Sequence, residues 1–145
     1  MSRTGAFRMP SWRLYLAGDS RAASVKNPVF GSTPSGAYSP GIIAEGRFLY
    51  VSGQGPLRNG LVVRGSIEEE VALTLENLAA VVRTAGASLA DIIQCRVFLA
   101  DIADFAAMDA VYGAFLPDPK PARTTVGVAL ADGIKVEIDG VVVMP

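Results

Sequence analysis

Apolar residues recur at three and four positions in two stretches of this chain and at every second position in several others. These two periods separate helices from strands. The clearest helix spans residues 66–85. There Ile67, Val71, Leu75, Leu78 and Val82 form one apolar stripe, Ser66 and Glu69 make a capping box, and Gly86 supplies a C-terminal stop. A second helix starts at the cap Asp101 and runs to Phe115, with Phe105, Met108, Tyr112 and Phe115 at helical spacing and Pro117 and Pro119 beyond. Between them the stretch 91–100 alternates, placing Ile93, Cys95, Val97 and Leu99 on one face of a strand. Residues 47–53 read as a strand running into a turn. Gly55-Pro56 and Asn59-Gly60 mark turns around a short strand at 61–63, and residues 27–41, rich in Pro, Gly and Ser, read as loop.

The C-terminal part alternates too. Residues 124–130 and 134–139 flank Ala131-Asp132-Gly133, and Gly133 is placed for a positive φ, so the pattern predicts a hairpin. Leu130 then meets Ile134, Val128 meets Val136 and Val126 meets Ile138. In that register Arg123 and Glu137 share the polar face, roughly 13 Å apart along the sheet and spaced to flank something small. Nothing structural in the pattern accounts for Arg123 at the mouth of an apolar hairpin. Strands, helix, strand, helix and hairpin make an α+β domain whose helices cover one sheet face. The other face is expected to carry Arg123, Thr125, Glu137, Gln94 and Arg96 and to pack against another copy, giving a homo-oligomer.

Composition narrows the chemistry. A chain of 145 residues that is 50% hydrophobic makes one core. A net charge of −1 provides no basic field for nucleic acid, and no apolar run approaches the roughly 18 residues of a membrane span. The absence of histidine removes Ser-His-Asp and Cys-His activation and the usual zinc motifs. The single cysteine, Cys95, lies on an apolar stripe and reads as an inert buried thiol. Chemistry therefore falls to Arg, carboxylates, hydroxyls, backbone amides and water, with no metal and no cofactor expected. Residues 1–26 carry Arg3, Arg8, Arg13, Arg21 and Lys26 against Asp19 alone. They read as an extension to the domain at 27–145, either flexible or surface-docked, with a cytoplasmic protein, or as an organelle transit segment.

Several segments taken in order resemble the Rid/YjgF family of enamine/imine deaminases. They are Gly36-Ala37-Tyr38-Ser39-Pro40-Gly41, Leu49-Tyr50-Val51-Ser52-Gly53-Gln54, Leu75-Glu76-Asn77-Leu78, Val97-Phe98-Leu99-Ala100-Asp101 through Phe105, Pro121-Ala122-Arg123-Thr124-Thr125 and Val136-Glu137-Ile138. The resemblance implies a chorismate-mutase-like fold, a homotrimer with sites between subunits, and hydrolysis of small carboxylate-bearing 2-imino or 2-enamine acids to 2-keto acids and ammonia. It further implies that Arg123 binds the substrate carboxylate, that Glu137 positions the attacking water, and that Tyr38, Ser52, Gly53, Phe105 and Thr125 line the pocket. Thr125 stands where the family often has Cys, and Asp109 where it often has Asn. Two alternatives stay open: a trimeric ligand-binding or chaperone-like member without turnover, and a narrow catabolic deaminase.

Overall fold

The structure, a computed structural model, describes residues 25–145. Residues 1–24 of the expected extension lie outside the described residues. Strands β1 (Val25–Val29) and β2 (Gly41–Glu45) pair antiparallel. Next come β3 (Phe48–Gln54), the short strands β4 (Leu57–Arg58) and β5 (Leu61–Val62), helix α1 (Ile67–Thr84), β6 (Ile92–Leu99), helix α2 (Phe105–Phe115), β7 (Ala122–Gly127) and β8 (Val136–Val143). Of the loop expected over 27–41, residues 30–40 are loop, and only its ends are taken into the β1–β2 ribbon. Pro28 sits in it because β1 is an edge, where a missing N–H costs no ladder bond, and Lys26 pins it to the body through the carbonyls of Ala90 and Pro119.

The principal sheet has the order β3-β8-β6-β7. Its first three strands are antiparallel neighbours, and β6 and β7 run parallel. The predicted hairpin therefore does not form. The Ala131–Gly133 turn exists, with Asp132 and Gly133 at φ 58 and 67, yet β7 and β8 lie on opposite sides of β6. Alternation identifies strands and faces but not partners, and the more apolar β6 takes the central place by pairing with both.

Helix α1 matches its sequence signature. Ser66 and Glu69 close the capping box, Gly86 follows the last turn at φ 89, and all five stripe residues are buried. The stripe packs on β8 and β3, with α2 alongside. From the sheet the core takes Ile92, Cys95, Val97, Leu99, Val136, Ile138 and Val142. A register irregularity between Ile92 and Gln94 puts Ile92, rather than the expected Ile93, into it. In α2, Met108 and Tyr112 are buried and Phe105 and Phe115 pack at the core edge; Asp101 caps the short 3-10 turn Ile102–Asp104 that leads into it. Both helices lie on one side of the sheet. On the other side Phe48, Tyr50 and Val126 are exposed, Tyr50 to 75%. No described helix is long and apolar enough to cross a membrane.

Candidate functional site

Arg123 stands on β7 opposite Cys95, and Thr125 stands opposite Val97. Directly paired residues share a face, and Cys95 and Val97 are core residues, so Arg123 and Thr125 project towards the helices. The Arg123 side chain is 1% exposed. Its Nη1 donates to Asp109 Oδ1 of α2 at 2.6 Å and, more weakly, to the Ala37 carbonyl at 3.4 Å. Its guanidinium carbon lies 4.8, 5.3 and 5.4 Å from the ring centres of Tyr112, Tyr38 and Phe105. Three aromatic faces around one cation compensate part of the loss of hydration.

The loop before β2 closes over this group. The Ala37 amide donates to the same Asp109 Oδ1 at 2.9 Å, the Ser39 amide donates to the Pro121 carbonyl, and the Ser39 hydroxyl donates to the Lys120 carbonyl. A Cβ on Gly36 would come within 3.0 Å of Asp109 Oδ1 and 3.1 Å of Arg123 Nη2, so a larger residue there would press on the ion pair. The Tyr38 hydroxyl meets the Ser35 hydroxyl and amide, which pull its pKa below the usual phenol value. Thr125 Oγ1 is buried without a hydrogen-bond partner among the described residues, and the buried Tyr112 hydroxyl has only the Cys95 thiol beside it. Burial drives the Tyr112 phenol well above its ordinary range and the neighbouring Cys95 thiol up to about 11, which leaves both neutral.

Glu137 belongs to a second group. It stands on β8 opposite Phe98, between the buried Val136 and Ile138, so it points to the side without helices. The β3–β8 register breaks between Val51 and Gln54, and this bulge holds Ser52 and Gly53 beside Glu137. A Cβ on Gly53 would lie 1.9 Å from Glu137 Oε1, so glycine makes room for the carboxylate. Glu137 has no hydrogen-bond or ion-pair partner among the described residues. The nearby Asp139, by contrast, is held by Arg96 through contacts of 2.5–3.1 Å. A shallow hollow lined by Tyr50, Ser52, Gly53, Gln94, Arg96 and Asp139 adjoins it.

The expected residues thus fall into two clusters. Tyr38, Phe105 and Thr125 gather around Arg123, and Ser52 and Gly53 gather at Glu137. The single polar face expected for Arg123 and Glu137 is corrected. They lie two strands and three register positions apart, about 14 Å, and on opposite sides of the sheet. The cause is the strand order, since β6 separates their strands and shifts the register. Arg123 also has the structural role that its pattern concealed, as the cation that ties α2 to the Gly36–Tyr38 loop. Its partner Asp109 carries no periodic signal, and only the departure from the family's usual Asn drew attention to it.

A buried cation beside an orphan hydroxyl, and an unpaired carboxylate over a glycine bulge, stand on a small mixed sheet backed by two helices, in a compact α+β protein. Comparison with known proteins names its family. The family model described as Endoribonuclease L-PSP matches residues 31–144, and the chain belongs to this family, also called Rid/YjgF. Protein mmf2, mitochondrial, of Schizosaccharomyces pombe is 46% identical over 67% of this chain and 80% of its own length. A 2-iminobutanoate/2-iminopropanoate deaminase of Dermatophagoides farinae is 37% identical over 77% of this chain and 88% of its own. The crystal structure of RidA from an Antarctic Psychrobacter superposes with a TM-score of 0.65 at 33% identity, covering 77% of this chain and 92% of that one.

Proposed function

We propose that this protein hydrolyses reactive 2-imino acids, and their 2-enamine tautomers, to 2-keto acids and ammonia at sites shared between copies of the chain in a homotrimer. One copy supplies Arg123 with Tyr38, Phe105 and Thr125, and a neighbouring copy supplies Glu137 with Ser52 and Gly53. The observation that carries this reading is the unpaired Glu137 carboxylate held over Gly53 on the helix-free sheet face, out of reach of Arg123 in the same chain. Exposed Phe48, Tyr50 and Val126 supply apolar area on that face for a second copy to cover. The relative that bears the deaminase name supports the reaction class.

In this mechanism the substrate carboxylate takes the free edge of the Arg123 guanidinium once the Gly36–Tyr38 loop shifts, and the Thr125 hydroxyl gains its missing partner. Glu137 orients a water against the C=N carbon and accepts its proton as the C–O bond forms. The proton then passes to nitrogen to give a carbinolamine. Glu137 relays the hydroxyl proton to the same nitrogen as the C=O bond forms and the C–N bond breaks, and ammonia and the keto acid leave. An imine carbon is already electrophilic, so orientation and one base suffice. A net charge of −1, and a mixed Glu137, Asp139 and Arg96 surface, offer nothing suited to an RNA backbone.

The test is complementation. Arg123→Ala and Glu137→Gln are each expected to lose the ability to remove imine in a semicarbazide-trapping assay. Mixing and reassembling the two in equal amounts should restore roughly a quarter of wild-type activity, because sites with both native residues form between unlike copies. Absence of recovery in demonstrably mixed oligomers would put both residues in one chain's site or in none. A second reading, ligand binding without turnover, draws support from the near-complete burial of Arg123 and its pairing with Asp109. An occupied cleft with no deamination by wild type would decide for it. The mitochondrial name of mmf2 supports an organelle address over the cytoplasmic one expected first, and imaging of a C-terminally tagged full chain tests this.

A further inference from the structure

Arg123 and Asp109 are unequally accessible. The cation is 1% exposed and the carboxylate 24%. Asp109 Oδ1 already accepts from Arg123 Nη1 and from the Ala37 amide, while Oδ2 has no hydrogen-bond partner among the described residues. The Lys120 ammonium is paired with Asp118 at 3.6 Å and donates to the carbonyls of Gly113 and Leu116 rather than to Asp109. The groups packed on the guanidinium are the neutral rings of Tyr38, Phe105 and Tyr112. The pair is therefore formally neutral, and its more accessible member is the negative one.

A plain carboxylate approaching such a pair gains attraction from Arg123 and meets comparable repulsion from Asp109. A molecule that carries a carboxylate next to a positive nitrogen answers both charges at once. Resting on the site reading above, we propose that Asp109 is a specificity-determining residue that selects the N-protonated form of the 2-imino acid, a net-neutral ligand, over monoanionic carboxylates. Two consequences follow from the chemistry. The N-protonated form is the more electrophilic one, so the form that binds is also the form that reacts with water. The keto acid product has lost the positive nitrogen, so it no longer answers Asp109 and leaves.

Paired probes of equal carbon count test this by ligand-observed NMR titration of the full chain: 2-oxobutanoate, a monoanion, and L-2-aminobutanoate, a zwitterion. Wild type is expected to favour the zwitterion by about tenfold, and Asp109→Asn to bring the monoanion to equal or tighter binding, as removal of one nearby charge predicts. Asn keeps an oxygen for the Ala37 amide, so the substitution removes charge and leaves the loop contact. The preference of wild type can be read without any variant: a wild type that favours 2-oxobutanoate overturns the proposal, and so does an Asp109→Asn protein with an unchanged ratio. Arg123→Ala separates the two levels of inference. Loss of both ligands there with an unchanged Asp109→Asn ratio sinks the role of Asp109 alone. Undiminished binding of both, or no binding of either probe by wild type, sinks the site reading and the role of Asp109 with it.

Discussion

The Arg123 cluster and the Glu137 cluster differ in nearly every physical respect although β6 alone separates their strands. Arg123 is enclosed, ion-paired, ringed by aromatics and latched under a loop. Glu137 faces the helix-free side of the sheet, unpaired, with room kept for it by a glycine bulge. One group is finished within the chain and the other is not. A charge already satisfied holds structure together, whereas a charge left unsatisfied beside an apolar surface is available to something that arrives later.

Substitutions can break that contrast or sharpen it. The largest effect is expected from Arg123→Ala, which should reduce imine hydrolysis to background. It should also cost about 2–3 kcal/mol in stability, since Asp109 is left without its cation and the loop without its tie. Semicarbazone trapping and urea unfolding measure the two losses, and full activity in this variant would remove Arg123 from the site. Glu137→Gln comes next, with turnover lowered about a hundredfold or more. Its stability should stay within about 0.5 kcal/mol of wild type, because Glu137 makes no contact that folding needs. A large loss of stability there would mean that Glu137 is structural like Arg123, and the contrast would vanish.

Gly53→Ala should displace the Glu137 carboxylate and lower kcat by about tenfold to a hundredfold with little change in melting temperature, as misplacement of a catalytic group does. Unchanged kcat would show that Glu137 need not occupy the place over Gly53. The smallest effect concerns Cys95. Its thiol, pushed up to about 11 by burial, stays protonated at pH 8 in the folded state, so a thiol reagent should label it only after unfolding. The sign follows from the raised value. Keeping the thiol neutral favours the fold below the ordinary value of 9.0, and this contribution fades as pH climbs through 9 towards 11. Rapid labelling of native protein at pH 8 would mean that the core beside Arg123 opens readily.

Much of the site was legible one residue at a time and illegible as an arrangement. Tyr38, Ser52, Gly53, Phe105 and Thr125 were all expected to line one pocket with Arg123 and Glu137, through the order of short motifs, whereas the chain gathers Tyr38, Phe105 and Thr125 at Arg123 and the other two at Glu137. Asp109 was noticed only as an unusual residue at its position, because the contact with Arg123 joins a helix to a strand 14 positions further on. The single polar face failed for a related reason: alternation says which residues share a side within one strand and nothing about which strand comes next.

By itself the sequence determined what is decided within a few residues. The capping box at Ser66 and Glu69, the stripe from Ile67 to Val82, the stop at Gly86 and the turn at Asn59-Gly60 all form where they were expected, because each rests on neighbours at most four positions apart. Only the tertiary structure decided that β6 enters between β7 and β8, that β1 joins β2, and that Arg123 and Glu137 part to opposite sides of the sheet. Strand partners are chosen by competition among all the apolar edges of the chain, and the winner depends on which arrangement buries the most surface at once.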